Sequence, residues 1–249
     1  MITGKIHKGS GLGDQLFSYI ATRTTAERLG VDFGFIGQQF FKGKDFMNLD
    51  WGKDTGIGYW IEESSGKLLI DDEGKVFEIN KPYYDPEVNF IEDGTVIDGY
   101  GAQDERYFEH RLEEIREWLA VEPLEMPDDV CVLNIRGGEF RVFPDLILPL
   151  QDYWFKAMGL MDKQKYEIHT DDPEYCKQLF GDAFPIIQDI GINWRSVRYA
   201  KHAIIANSAF GIIPRLLNGG DTIAPRYWAR RNIKEWSLPS NYYKSFKYI

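Results

Sequence analysis

Three stretches of the chain carry residues whose type and spacing suit chemistry on an anionic ligand. The first is Val132-Leu133-Asn134-Ile135-Arg136-Gly137-Gly138-Glu139-Phe140, which reads as a buried β-strand ending at an arginine, followed by two glycines. An arginine at the carboxyl end of a strand, beside bare backbone N–H groups, can grip a phosphate, and ligands of open α/β sheets sit at that end. The plainer reading is a strand end with a solvated arginine and a Gly-Gly turn. The second stretch is Gly9-Ser10-Gly11-Leu12-Gly13-Asp14-Gln15. It reads as a backbone-lined turn, with Gly11 and Gly13 leaving the main chain open and Asp14 and Gln15 as its polar side chains. A dinucleotide fingerprint would need glycine where Asp14 stands, and a Walker loop would need Gly-Lys-Ser/Thr. The third is Asp171-Asp172-Pro173, where an aspartate can either meet a ligand or cap the helix that proline begins. The four histidines (His7, His110, His169, His202) are scattered, and no pair has metal-ligand spacing. The expected metal set is none.

These residues need a scaffold of alternating strands and helices. A short strand holding Ile2 and Ile6 precedes the glycine stretch, and Leu16, Phe17, Ile20, Ala21, Thr24 and Leu29 then fall on one helix face, with Gly30 as C-cap. Val31–Ile36 reads as a second strand. Leu68–Ile70 and Lys75–Ile79, joined by Asp-Asp-Glu-Gly, read as a β-hairpin. A strand at 95–100 and an amphipathic helix through Ile115, Trp118 and Leu119 lead to the proline-broken, acidic stretch 122–129, a linker candidate. Beyond it, strands at 131–136, 166–170, 185–188, 203–206 and 222–225 alternate with helices at 151–161, 173–180, 194–201 and 211–217. That alternation predicts parallel βαβ units. The expected organisation is an α/β chain: an N-terminal Rossmann-like domain over 1–121, the linker 122–129, a C-terminal Rossmann-like domain over 130–235, and a tail, 236–249, packing back on the body.

Composition narrows the partners. With 43% hydrophobic and 15% aromatic residues, the 249-residue chain can bury a sizeable core. A formal net charge of -10 argues against a protein that coats nucleic acid or anionic membrane, which requires a broad basic face. Cys131 and Cys176 lie in core-like stretches without Cys-x-x-Cys spacing, as expected of a reduced, cytoplasmic protein. No apolar run suits a signal peptide or a membrane span.

Five pieces, in order, resemble the fucosyltransferases, especially the α-1,2-fucosyltransferase family and its α-1,6- and protein O-fucosyltransferase relatives. Gly-Ser-Gly-Leu-Gly-Asp-Gln-Leu-Phe-Ser-Tyr (9–19) is similar to their Gly-Gly-Leu-Gly-Asn-Gln-Leu/Met-Phe-Gln-Tyr opening. Residues 98–108 resemble their Gly-Tyr-x-Gln-Ser-Glu-Lys-Tyr-Phe segment with one residue extra. Residues 134–140 stand where they have His-x-Arg-Arg-Gly-Asp-Tyr. Residues 169–173 and 206–210 resemble Phe-Ser-Asp-Asp and Ser-Asn-Ser-Ser-Phe. The resemblance implies a GT-B-like fold, two Rossmann-like domains facing a cleft. It further implies GDP-fucose bound mainly by the C-terminal domain, a glycan or glycoconjugate acceptor facing the N-terminal one, and inverting, metal-independent transfer. The donor is then a substrate and no cofactor is expected.

Carried over by position, Arg136 would be the main β-phosphate ligand, with Ser208 and the amides near Phe210 holding other diphosphate oxygens. Asp171 and Asp172 would take the guanine or ribose side, or only pin their loop. Three departures stand out: Gly137 replaces the motif's second arginine, Asn134 its histidine, and Asp14 its asparagine. Asn134 can still hydrogen-bond a base edge. Arg23, Arg141, Arg195 and Arg215 are available to restore the missing charge. Asp14 could take the proton of the acceptor hydroxyl, or could cap the following helix. The same scaffold with another GDP-sugar, or a non-catalytic nucleotide- or glycan-binding descendant, is the alternative.

Overall fold

The computed structural model describes residues 1–70, 75–79, 83–142, 150–163, 165–226 and 243–249. The chain divides into two compact units, Met1–Ala120 and Val121–Ile249. The first contains β1 (Ile2–Lys5), α1 (Leu12–Leu29), β2 (Phe33–Ile36), β3 (Tyr59–Ile61), β4 (Leu68–Ile70), β5 (Val76–Glu78), β6 (Val96–Asp98) and α2 (Leu112–Trp118). Its main sheet has the order β2-β1-β6-β5, every pair parallel. Gly4 lets this sheet lie tight under α1 and β2, because a Cβ there would come 2.4 Å from Phe35 and from Thr22 Oγ1. The hydroxyls that α1 buries are satisfied locally: Ser18 donates to the Lys5 carbonyl and Thr22 to the Ser18 carbonyl. Gly30, at φ 67°, closes the helix in the left-handed region, as glycine does without strain.

Two expectations for this unit fail. The 68–79 hairpin does not form. β4 pairs antiparallel with β3, and β5 pairs parallel with β6, so the two halves of the supposed hairpin belong to different sheets. Its turn, 71–74, lies outside the described residues. The glycine stretch is not an open turn either. α1 starts at Leu12 with Gly11 as N-cap, which places Gly13, Asp14 and Gln15 inside its first turn.

The second unit contains β7 (Val130–Ile135), α3 (Leu150–Met161), β8 (Lys165–Thr170), α4 (Pro173–Phe180), β9 (Ile186–Ile187), α5 (Ile190–Tyr199), β10 (His202–Ile205), α6 (Ala209–Asn218), β11 (Asp221–Ala224) and β12 (Lys247–Tyr248). All six strands are parallel, in the order β12-β11-β10-β7-β8-β9. β7 is buried along its whole length, as a central strand covered on both faces must be. Cys131, Leu133 and Ile135 of β7 join Trp154 and Ala157 of α3, Ile168 of β8 and Ile204 of β10 in one core. The sheet does not end at β11: β12 adds a further parallel strand at that edge. Tyr243 and Phe246 are buried before β12, while 236–242, the start of the expected tail, falls outside the described residues.

Candidate functional site

The strand order fixes where a ligand can enter the second unit. Counted from β7, the chain adds β8 and β9 on one side, then returns to add β10, β11 and β12 on the other. The direction of winding therefore switches between β7 and β10, and ligands of doubly wound sheets bind outside the carboxyl ends of strands at that crevice. Arg136 follows the last residue of β7, Asp171 and Asp172 follow β8, and Asn207 and Ser208 follow β10. Three neighbouring strands thus bring the last three motif pieces to one edge of one sheet.

Side chains fill that edge with paired charges. The Arg136 guanidinium contacts the Asp171 carboxylate and lies 5.5 Å over the Phe140 ring. The Gly137 amide donates to the other Asp171 oxygen (2.9 Å), and the Gly138 amide to Asp172 Oδ2 (3.0 Å). Asp172 is the N-cap of α4: its Oδ1 accepts from the Tyr175 amide (3.1 Å), and Pro173 follows at the first helical position. Arg141 also reaches Asp172 Oδ2 (3.3 Å). Burial works to raise the Asp172 carboxyl, but the Tyr175 and Gly138 amides and Arg141 outweigh it and hold it below the usual carboxylate range.

The opposite wall is the start of α6. Ser208 caps this helix, its hydroxyl accepting from the Phe210 amide (3.4 Å), and the Phe210 ring packs edge-on against Trp194. Helix N-termini present free amides and a positive dipole end, which favour an anion. Gly211 brings α6 against the sheet, since a Cβ there would lie 2.7 Å from Asn134 Oδ1 and 3.2 Å from Ile205 Cβ. Asn134 itself is buried, and its amide donates to the His169 carbonyl (3.4 Å). It lies beneath the crevice with α6 over its Oδ1, which corrects the expectation that it reads a base edge. Below it, His169 Nδ1 contacts Asn193 Oδ1 (3.0 Å), and Asn193 donates to the Thr170 carbonyl. Burial pushes the His169 imidazole down, against the pull of Asn193 and Glu167.

Of the four arginines considered as replacements for the motif's second one, only Arg141 lies at this loop. Arg215 is buried and donates to the Val197, Ala200 and Asp221 carbonyls and to Thr222 Oγ1. Arg195 donates to the Gly191 carbonyl within α5. Arg23 belongs to the first unit, where it stacks 4.2 Å over Trp118.

The first two motif pieces converge within the first unit. Asp14, in the opening turn of α1, accepts from Gln103 (3.5 Å), which follows β6. The N-cap position itself is held by Gly11, and Asp14 is the acidic residue of the first turn. Gln15 is buried and spends its carboxamide on backbone: it donates to the His7 and Phe40 carbonyls (3.1 and 3.0 Å) and accepts from the Lys42 amide (3.0 Å). It therefore ties loops together and is not a ligand contact. Sequence reasoning missed a buried trio at the carboxyl ends of β1 and β6. His7 Nδ1 accepts the Leu68 amide, so Nε2 carries the proton and donates to Asp98 Oδ1 (both 2.9 Å), while Lys5 Nζ lies 3.7 Å from Asp98 Oδ2. The only hint was His7 following a short strand, with Asp98 opening the second motif piece.

Among the described residues, no group of three or more His, Cys, Asp or Glu could hold a metal ion, and no helix is long and apolar enough to cross a membrane. The chain matches no protein-family model. No curated protein is similar to it in sequence. Among solved structures, it is similar to the NodZ α-1,6-fucosyltransferase soaked with GDP-fucose, with a TM-score of 0.47 and 14% identity over 87% of this chain and 91% of that one. It is also similar to a selenomethionine form of fucosyltransferase NodZ from Bradyrhizobium (0.46, 15%, 87% and 91%) and to NodZ co-crystallised with GDP (0.45, 12%, 87% and 91%).

Proposed function

We propose that the chain is a glycosyltransferase that moves fucose from GDP-fucose to a hydroxyl of a glycan or glycoconjugate, with inversion and without a metal. The observation that carries the reading is the position of Arg136. It stands at the β7–β10 switch point, with two glycine amides beside it and a Ser-capped helix N-terminus across the crevice. A departing diphosphate needs positive charge and amides directed at its oxygens, and a guanidinium suits phosphate geometry. Arg136 and the Gly137 amide would take the β-phosphate, with Ser208 and the α6 amides taking further oxygens. Fucose as the sugar rests on the resemblance of the five motif pieces. Asp14 is the proposed proton acceptor, a carboxylate of the first unit that approaches the motif-bearing Gln103.

Calorimetric titration with GDP and GDP-fucose tests this. Both nucleotides are expected to bind, and Arg136→Ala should weaken binding about 10–100-fold, the loss of a charge-assisted contact. No binding by any guanine nucleotide, or unchanged affinity in the variant, would overturn the reading. One observation favours a different donor on the same scaffold: Gly137 leaves the loop one arginine short of the motif. Tighter binding of GDP-mannose than of GDP-fucose would establish that variant.

A further inference from the structure

The phosphate grip proposed above already holds an anion. Arg136 and the Gly137 amide converge on the two oxygens of the Asp171 carboxylate, as a guanidinium and an amide would converge on two phosphate oxygens. We infer that Asp171 is a built-in competitor for the nucleotide: its carboxylate closes the grip in the free protein, and a diphosphate binds only by displacing it. The inference rests on the donor site proposed above and adds to it a residue that sets which anions gain entry.

Four features support displacement over a fixed structural pair. The neighbouring carboxylate is committed elsewhere: Asp172 caps α4 and accepts from Gly138 and Arg141, with its side chain 15% exposed. Asp171 is 32% exposed and has room to turn. Its backbone is held in place, because its carbonyl accepts from Gln188 (3.4 Å) and the following amide donates to Thr170 Oγ1 (3.0 Å). Opening therefore needs only a rotation about side-chain bonds, with no movement of the loop. Finally, Gly138 has φ 47°, and a Cβ there would lie 2.7 Å from Asp171 Oδ2, so glycine is what admits the carboxylate.

A carboxylate and a diphosphate oxygen that seek the same edge of the guanidinium and the same Gly137 amide compete and repel one another. The affinity observed for nucleotide is then the intrinsic affinity reduced by the fraction of molecules in which Asp171 has turned away. A partly exposed ion pair with one amide contact favours the closed form by about three- to tenfold. A singly charged anion gains little over the resident carboxylate, whereas a diphosphate brings more charge and more acceptor oxygens.

The sign of one substitution separates this role from that of a direct nucleotide ligand. Asp171→Asn keeps the shape and an acceptor for the Gly137 amide but takes the competing negative charge from Arg136, and Asp171→Ser shortens the side chain out of reach. GDP affinity would be measured by calorimetry for wild type, both variants and Arg136→Ala, with thermal midpoints confirming that each is folded. Either Asp171 variant should bind GDP about three- to tenfold tighter than wild type. Unchanged or weaker GDP binding in the folded Asp171 variants, with binding still weakened in Arg136→Ala, would overturn the inference and leave the donor site standing. No GDP binding by wild type or by either Asp171 variant would instead overturn the donor reading.

Discussion

Replacing Gly137 by alanine should destabilise the second unit, contrary to the usual effect of removing a glycine. At a site whose backbone suits alanine, Gly→Ala stabilises by about 0.4–1 kcal/mol through the unfolded chain, and Gly137 is not among the described residues with positive φ. Here a new Cβ would lie 2.5 Å from Asp172 Cβ, 3.0 Å from its Cγ and 2.9 Å from its Oδ2. Carbon atoms prefer separations of about 3.5–4.0 Å, so loop or aspartate must retreat by about 1 Å. Overpacking of that kind costs roughly 1–3 kcal/mol. A displaced Asp172 also loses its cap on α4, worth about 1 kcal/mol. The expected net loss is about 2–3 kcal/mol, read as a lower urea midpoint and a fall of several degrees in melting temperature. Asp172→Gly removes the colliding atoms, so the double-mutant cycle should show coupling of roughly 1–2 kcal/mol, within the range of contacting residues. Gly137→Ala at or above wild-type stability, or the same loss in the Asp172→Gly background, would refute the reasoning.

Two further outcomes follow from the geometry. Asp14→Asn tests the proposed proton-acceptor role: turnover is expected to fall about 10²–10⁴-fold, and turnover near wild type would remove Asp14 from that role. Burial pushes the Cys131 thiol up to about 12 and that of Cys176 up to about 11. Both should stay protonated and unreactive toward a disulfide reagent at pH 8 until urea unfolds the unit. Their raised values also mean stability that is complete below about pH 9 and declines as pH rises toward 11–12. Substituting both cysteines by alanine should flatten that decline, and an unchanged slope would contradict it.

Much of the second unit was legible because its signals are local. The continuous run Val130–Ile135 marks a strand buried on both faces, Asp172-Pro173 marks a helix start, and Ser208 caps α6. The failures come where tertiary contacts decide. Gly11-Leu12-Gly13 has poor helix propensity, yet Leu12 is buried and α1 begins there. The turn chemistry of 71–74 suggested a hairpin, but strand pairing is a long-range choice, and β5 took β6 as its partner. Gln15 and Asn134 look like ligand residues because they are polar and flank a motif. Nothing local reveals that backbone groups already occupy the Gln15 carboxamide or that α6 covers Asn134.

The departure of residue 137 from the fucosyltransferase-like motif and the contact of Arg136 with Asp171 are one feature. A second arginine at 137 would need a Cβ where Asp172 already stands, so the loop could keep that residue only by lifting away from β8. Lifting would take the Gly137 and Gly138 amides from Asp171 and Asp172 and leave both carboxylates without those donors. With glycine, the loop lies against the aspartates. Its two arginines, Arg136 and Arg141, then each meet a carboxylate, Asp171 and Asp172, and Glu139 adds a further acidic residue to the loop. With three acidic residues against two arginines, it offers little attraction to a distant anion, so long-range steering of a nucleotide toward it is weak. Turning Asp171 away would take its carboxylate from Arg136 and from the Gly137 amide at the switch point while Asp172 still holds α4.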